Sequence, residues 1–345
     1  PNTPSLHDAL PIYKHWSGSD RMYRTGIKAD MMGQKMDGFS SPSPMAETLR
    51  TEFNEVETAT RFKPVGQEIL MRYEQNKVYI EKGVYADSSF FKVFDYEFAH
   101  GNAATALNEP NAIVLTEESS LKLFGHKNGI GEILNYDNRR DYIVKGIVKE
   151  PKGHSHFHFD MFMAQNDIQP IWISNNFYTY FRLKENVDFA AFEEKMKANF
   201  MKKIEPNVEA FLKITVDEFL EQGNSFEYQL QPVERVHLYS HSEWEIEQNG
   251  NILYVYVFIG IAILVILIAG INFMNLSTAR SGKRAKEVGV RKVTGASRKM
   301  LIIQFLTESV IQSFLALFLA FILVELFLPG FNKIMDTDLY LFNDY

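Results

Sequence analysis

The sequence predicts an α+β extracytoplasmic domain followed by α-helical transmembrane segments. Three observations carry this reading. Short runs rich in Val, Ile and Tyr alternate with turns before residue 250, an uncharged run of twenty-five residues starts at Ile252, and a basic block separates that run from a second apolar one. A hydrophobic share of 46% and an aromatic share of 14% are ample for a buried core, and 23% charged residues is ordinary for soluble domains, so disorder is excluded. The slightly negative mean hydropathy averages two unlike parts, because residues 13–247 read as water-soluble and the strongest apolar runs follow Ile252.

Residues 1–12 carry no pattern that places them, and a foreign origin is one reading of them. From Arg21 to Asn166 the chain alternates strand-like runs with turns, for example residues 77–85, 111–115 and 141–149. Between them Thr116 is positioned to cap a short helix over residues 117–124, whose acidic first turn suits the helix dipole and whose end is marked by Gly125. Residues 176–183 form another aromatic strand. In residues 187–204, Phe189, Phe192, Met196 and Phe200 recur at helical spacing and predict one buried stripe. A last strand is expected over residues 226–238.

Residues 252–276 are long enough to cross about 30 Å of hydrocarbon at about 1.5 Å per residue, and predict a transmembrane helix. Asn272 and Asn275 near its end suit an interface or a helix contact. The second run, residues 300–328, contains Glu308 and Glu325, about 25 Å apart along a helix. Those carboxylates can sit near opposite interfaces, so this run is read as a second transmembrane helix, ended by Pro329 and Gly330 and followed by an extracytoplasmic tail, residues 329–345. The chain begins with Pro1 and ends soon after an apolar helix, and is expected to be a fragment.

Charge gives the orientation. Residues 277–300 hold eight basic side chains against Glu287 alone, a net +7, which leaves −14 for the remainder of a chain whose total is −7. Such segregation beside apolar runs points to membrane topology rather than to nucleic acid. The positive-inside rule places residues 277–299 in the cytoplasm and residues 13–247 outside.

The absence of cysteine removes disulfides, thiolate zinc sites and cysteine nucleophiles. No phosphate-binding Gly-x-x-x-x-Gly-Lys-Ser/Thr loop and no Gly-x-Ser-x-Gly elbow is present, so no enzyme is predicted, no cofactor is implied, and nucleotide hydrolysis would reside in a partner. His154, His156 and His158 alternate before Asp160 and would share one face of an extended strand. That spacing occurs in zinc sites, but without a second ligand cluster it reads as a polar strand face, and no metal is assigned.

Residues 285–306 read AKEVGVRKVTGASRKMLIIQFL. Physically this is helix, glycine turn, helix: Gly295 suits the left-handed conformation that ends one helix, and Ser297 suits the cap of the next. A plain topology signal would need the charge but not Gly289, Gly295 and Ser297 in order.

The segment INFMNLSTARSGKRAKEVGVRKVTGASRKMLIIQFLTES, residues 271–309, resembles the core of the FtsX-like permease family found in MacB-type ABC transporters. RMYR at residues 21–24, the stretch at 90–125, SHFHFD at 155–160 and VHLYS at 236–240 resemble that family's extracytoplasmic domain, particularly in permeases of the Bacteroidota. The resemblance implies a mechanotransmission permease whose cytoplasmic loop docks on a separate ABC ATPase subunit. Carried over residue by residue, the ATPase-coupling positions are Glu287, Val288, Gly289, Arg291, Lys292, Gly295, Ala296 and Ser297. It also implies a second permease copy, a multi-pass location in the inner membrane's lipid bilayer, and a membrane-fusion or other extracytoplasmic partner, for export or release of an unidentified substrate. The sequence lacks that family's preceding and further downstream membrane helices, so this chain alone is not expected to transport. The competing expectation is a membrane-anchored extracytoplasmic ligand-binding receptor, which would usually continue from its first helix into a cytoplasmic effector.

Overall fold

The computed structural model describes residues 16–31, 33–151, 155–335, 340 and 341, with side chains for all of these but 283, 284, 334 and 335. Residues 1–12 and His154 therefore lie outside the described residues. The chain divides into two units, Pro1–Val255 and Tyr256–Tyr345.

In the first unit the β-rich segments become strands β1 (Met22–Met31), β2 (Gln34–Gly38), β3 (Ser41–Pro42), β4 (Val56–Pro64), β5 (Ile69–Tyr73), β6 (Asn76–Ile80), β7 (Gly83–Ala86), β8 (Phe98–Gly101), β9 (Ala112–Thr116), β10 (Ile133–Tyr136), β11 (Arg140–Val148), β12 (Met161–Ala164), β13 (Asn175–Leu183) and β14 (Ser225–Pro232). Helices α1 (Met45–Glu52), α2 (Phe90–Val93), α3 (Glu117–Phe124), α4 (Phe189–Leu212), α5 (Val216–Glu221) and α6 (Val236–Tyr239) are interspersed. Among the described residues the strands join in the order β14-β1-β13-β4-β7-β12-β9-β11-β10-β5-β6, with β2, β3 and β8 pairing alongside. The sheet is mixed: β9 runs parallel to β11 and β12 parallel to β7, while β1, β13 and β14 pair antiparallel. The fully buried AIVLT of β9, held between β12 and β11, is the continuous apolar run expected of a strand covered on both faces.

Alternation along β13 separates two cores. Tyr180 faces an aromatic cluster of Trp16, Phe62, Phe90, Phe94 and Phe157, while Phe181 faces α1 and α4 through Phe53, Phe192, Met196 and Phe200. A third cluster lies where α3 covers the β5, β9 and β11 region. The expected start of α3 is realised: Thr116 Oγ1 accepts from Ser119 N at 3.2 Å, and Gly125 follows with φ 78°. The expected stripe is realised too, with Phe192, Met196 and Phe200 buried and Phe189 stacked on Tyr23 at 4.6 Å.

Three element boundaries in this unit differ from the sequence expectations. Helix α4 runs on through Pro206 to Leu212 and buries Ile204 and Val208 as well. Residues 77–85 form two strands, β6 and β7, rather than one. The strand expected over residues 226–238 stops at Pro232, which pairs with Tyr23 beside the first residue of β1 and has no further partner strand. The chain turns instead through a 3₁₀ turn, Val233–Arg235, into α6, and this buries Val233 and Val236 in the aromatic cluster.

The second unit is helical. Helix α7 (Ile252–Ala279) leads to α8 (Ser281–Val293) and α9 (Arg298–Met335). Among the described residues α7 and α9 are long and apolar enough to cross a membrane, and the most apolar stretch of each is not buried in protein, although Leu301 near the start of α9 is. Helix α9 does not end at Pro329 and Gly330 but continues to Met335. Proline deprives the Glu325 carbonyl of its usual donor, and helices in apolar surroundings tolerate that loss of one bond.

Candidate functional site

Helix α8 and the turn after it hold all eight sequence-predicted site residues. Glu287, Val288, Gly289, Arg291 and Lys292 lie on α8, and Gly295, Ala296 and Ser297 form the connection to α9. The turn is closed by backbone bonds. Ala296 N–H reaches the Arg291 carbonyl at 2.9 Å and Gly295 N–H the Lys292 carbonyl at 3.2 Å, the paired pattern that satisfies the last carbonyls of a helix. This pattern requires a left-handed residue at Gly295, whose φ is 97°. No atom lies within 4 Å of where a Gly295 side chain would start, so the glycine is demanded by backbone conformation and not by crowding. Ser297 Oγ then accepts from Met300 N at 3.3 Å and starts α9.

The side chains on this frame face solvent. Glu287 and Arg291, one helical turn apart, pair at 2.7 Å with about two-fifths of each side chain exposed. Such a pair contributes at most about 1 kcal/mol to stability. Arg291 also hydrogen-bonds Gln304 of α9 and so ties the two helices together. Lys292 and Gly289 are exposed, and Val290 and Val293 are exposed at 60% and 90%, while Val288 and Ala296 are half-buried. The structure thus brings Glu287 and Arg291 together, leaves Lys292 projecting, and displays apolar and charged groups on a short helix of fixed length and exit angle. An exposed Val293 gains nothing from water, and a surface of this kind is suited to contact with another protein.

A second polar constellation, not found by sequence reasoning, lies in the first unit. Arg24 of β1 is fully buried. Its guanidinium meets both Glu245 oxygens at 2.7 Å, donates to Ser240 Oγ at 2.8 Å and to Gln231 Oε1 at 2.9 Å, and rests 4.0 Å from the Phe39 ring centre. Burial works against the charge, but Tyr180 and Glu245 outweigh it and hold the Arg24 pKa above the ordinary arginine value. Burial pushes the Tyr180 phenol far above its usual range. His156 Nε2 hydrogen-bonds the Tyr180 hydroxyl. The signal was present as an arginine inside the apolar run MYRTGI, but its partners lie more than 200 positions away. RMYR, SHFHFD and VHLYS, singled out separately, meet here.

The histidine segment is not a strand. Residues 155–160 are irregular, with Phe157 and Phe159 turned into the aromatic core, and β12 begins only at Met161. His156 is buried against Tyr180, whereas exposed His158 places Nδ1 2.9 Å from Glu247 Oε2. The two therefore take different partners instead of sharing a face with Asp160. Among the described residues no three His, Asp or Glu side chains are grouped to hold a metal. Glu247 also accepts from His158 N at 2.8 Å and lies 3.5 Å from Lys82 Nζ. Together Glu245 and Glu247 fasten residues 240–247, the stretch leading to α7, to the sheet domain.

Comparison with known proteins places these features in a family. The model of the MacB-like periplasmic core domain matches residues 13–199, more than half of the chain, and that of the FtsX-like permease C-terminal region matches residues 259–343. The chain belongs to the FtsX/MacB-type ABC permease family. The macrolide export ATP-binding/permease protein MacB of Salmonella typhi is 22% identical over 358 aligned positions, which cover 96% of this chain and 46% of that protein. MacB of Bdellovibrio bacteriovorus is 40% identical over 48 residues, 14% of this chain and 7% of that protein. The chain spans about half the length of the curated relatives it matches over most of its sequence. A crystallised domain of a putative permease from Porphyromonas gingivalis shares the fold at a TM-score of 0.53 and 20% identity, covering 63% of this chain and 91% of that one. The α+β sheet domain followed by long apolar helices is the architecture of this permease family.

Proposed function

We propose that this chain is the permease part of an ABC transporter, in which α8 and the Gly295 turn dock on an ATPase and pass its motion through α7 and α9 to the sheet domain. The observation that carries this reading is the turn itself: a left-handed glycine, two closing backbone bonds and a serine cap fix the angle between an exposed charged helix and a long apolar one. A hinge could not deliver displacement, whereas a rigid corner can. Residues 277–299 face the cytoplasm, the sheet domain lies outside, and the protein is multi-pass in the inner membrane. ATP hydrolysis resides in a separate subunit, a second permease copy completes the transporter, and a membrane-fusion or other extracytoplasmic protein receives the motion. The substrate is exported or released. The relatives' name, ATP-binding/permease protein, favours a second arrangement in which the ATPase belongs to the same polypeptide, and the role of the turn is then unchanged.

The test is Gly295→Val, together with the double reversal Arg291→Glu and Lys292→Glu, in the full-length permease. A β-branched residue at φ 97° costs about 1–2 kcal/mol and tilts α9 relative to α8. Both variants are expected to reach the membrane at normal levels and to lose ATPase co-purification and permease-dependent ATP turnover. Normal binding and turnover in both would make residues 277–299 a topology signal and nothing more.

A further inference from the structure

Alternation along β4 leads to a polar cleft on the first unit. Ala59 packs into the cluster under α1 and α4, so Arg61 and Lys63 lie on the same face of the sheet. Lys63 stands opposite Tyr85 of β7, and Tyr85 packs against the cluster under α3. Beyond the cover of those helices Lys63, Tyr85, Tyr136, Arg140, Tyr142 and Asp167 line a cleft of about 550 Å³. Lys63 and Arg140 are exposed, and among the described residues neither pairs with a carboxylate. Arg140 is nevertheless held in place: its guanidinium donates to the Pro110 carbonyl at 2.8 Å and lies 5.2 Å from the Tyr142 ring centre. Arg139, also on the lining, is committed to Asp137 at 3.2 Å. Burial, with Tyr142 and Tyr136 adding to it, pushes the Tyr85 phenol far above its usual range, so its hydroxyl keeps a proton to donate. Arg61, 2% exposed, donates to the Ser43 carbonyl at 2.7 Å and to the carbonyl of Asp167. Those oxygens are neutral, so a full positive charge is buried beside the cleft wall without a carboxylate in contact, and burial holds the Arg61 pKa below the ordinary arginine value.

We infer that this cleft binds a small hydroxylated anion, a phosphate or carboxylate group carried on a sugar-sized frame. The anionic group bridges Lys63 and Arg140 and accepts from the Tyr85 hydroxyl, and a hydroxyl of the frame donates to Asp167. Three cations on the lining, Lys63, Arg139 and Arg140, face one carboxylate, Asp167. An anion therefore gains charge-assisted hydrogen bonds here, and the buried charge of Arg61 favours it further. Asp167 repels an anion placed against it, so it fixes the ligand's direction and selects a frame with hydroxyl donors. The volume lies within the range of small-molecule sites and exceeds what a bare phosphate ion fills. The inference does not depend on ATPase coupling.

The experiment titrates the full chain in phosphatidylcholine nanodiscs with glucose 6-phosphate, glucuronate, glucose and inorganic phosphate by calorimetry, and maps the bound region by hydrogen exchange. At least one of the two sugar acids is expected to bind about tenfold more tightly than glucose and than inorganic phosphate, and the tighter acid identifies the anionic group. Protection should appear in residues 136–142 and 163–167. Lys63→Gln and Arg140→Gln should each weaken that binding about tenfold, and Tyr85→Phe, which keeps the ring, about fivefold. Lys286→Gln in the basic block should leave it unchanged, which separates the cleft from the other cationic surface. Four results would each overturn the inference: no sugar acid bound at about 10 mM, glucose or inorganic phosphate bound as tightly as both acids, parent affinity in Lys63→Gln, or an equal loss in Lys286→Gln. An unchanged urea unfolding curve checks each variant. If Arg140→Gln, which also loses the Pro110 bond, shifts that curve, the Lys63→Gln comparison decides by itself.

Discussion

Removing the carboxylate of Glu245 should be among the most damaging single changes in the first unit. Arg24 is 0% exposed at its side chain and Glu245 11%, so the pair is nearly withdrawn from water. Glu245→Ala leaves the guanidinium with Ser240 Oγ, Gln231 Oε1 and the Phe39 face, all neutral. Breaking one side of a buried ion pair costs about 3–5 kcal/mol, because the remaining charge stays buried without a counter-charge. For a domain of this size about 1 kcal/mol corresponds to about 2–4 °C, so the midpoint should fall by about 6–20 °C. The assay is urea and thermal unfolding of residues 13–250, a piece that retains both Glu245 and Glu247. Replacing both partners, Arg24→Met with Glu245→Met, should recover most of the loss, since apolar groups carry no desolvation debt. A loss below about 1 kcal/mol for Glu245→Ala would refute the argument that the pair is buried and uncompensated.

Residues 13–250 should also express as a soluble piece with one cooperative melt, because both faces of the sheet are covered within it; aggregation or absent near-ultraviolet circular dichroism would count against that. Within it Phe200→Ala, at a position 0% exposed between Phe53, Trp172 and Tyr228, should cost about 3–5 kcal/mol in urea unfolding. Burial raises the Glu247 carboxyl, but the hydrogen bonds and charge of His158 and the charge of Lys82 outweigh it and leave its pKa below the usual carboxylate value. A depressed carboxyl contributes stability that is present above about pH 4.3 and lost as pH falls through its folded pKa; Glu247→Gln should remove that part of the acid dependence, and an unchanged acid profile would refute it. For topology, single cysteines at Asp188 and Ser281 of the intact permease should react with an impermeant thiol reagent in whole cells at Asp188 only; the reverse would invert the orientation.

What the sequence discloses depends on how far each interaction reaches along the chain. The Thr116 cap, Gly125, the α4 stripe and the Gly295 turn are settled by residues within a few positions, so their chemistry is visible in a short window. Length and absence of charge do the same for α7. The Arg24 network joins positions separated by 207, 216 and 221 residues, and no local period announces it. The alternation His-Phe-His-Phe mimics a strand because a period of two is also produced when an irregular segment buries two phenylalanines in an aromatic core. Helix α9 passes Pro329 for a related reason: the breaker rule describes helices whose alternative is hydrated coil, and an apolar stretch lacks that alternative.

On the proposed reading, the placement of the two carboxylates before α7 has a mechanical consequence. Motion arriving along a chain acts on a domain only through its stiff attachments, and among those of residues 240–247, which include Ser242 Oγ on the Asp37 carbonyl and the packing of Trp244 and Ile246 on the cores, the two carboxylates are of unlike strength. Glu245 holds β1 through a buried bidentate pair, while Glu247 holds His158 and Lys82 at partly exposed contacts. Exposed contacts exchange readily with water, so the Glu247 attachment yields first and the Glu245 attachment transmits. β1 pairs with β13, β14 and β2, so a load entering at Arg24 is shared by three strands. A transmission defect without loss of fold is therefore expected from Glu247→Gln combined with an intact Arg24 pair only if the weaker contact also carries load. The full-length permease should keep coupled ATP turnover in Glu247→Gln and lose it in Glu245→Gln, which preserves shape but removes the charge. Equal retention in both would mean that motion does not pass through the Glu245 pair.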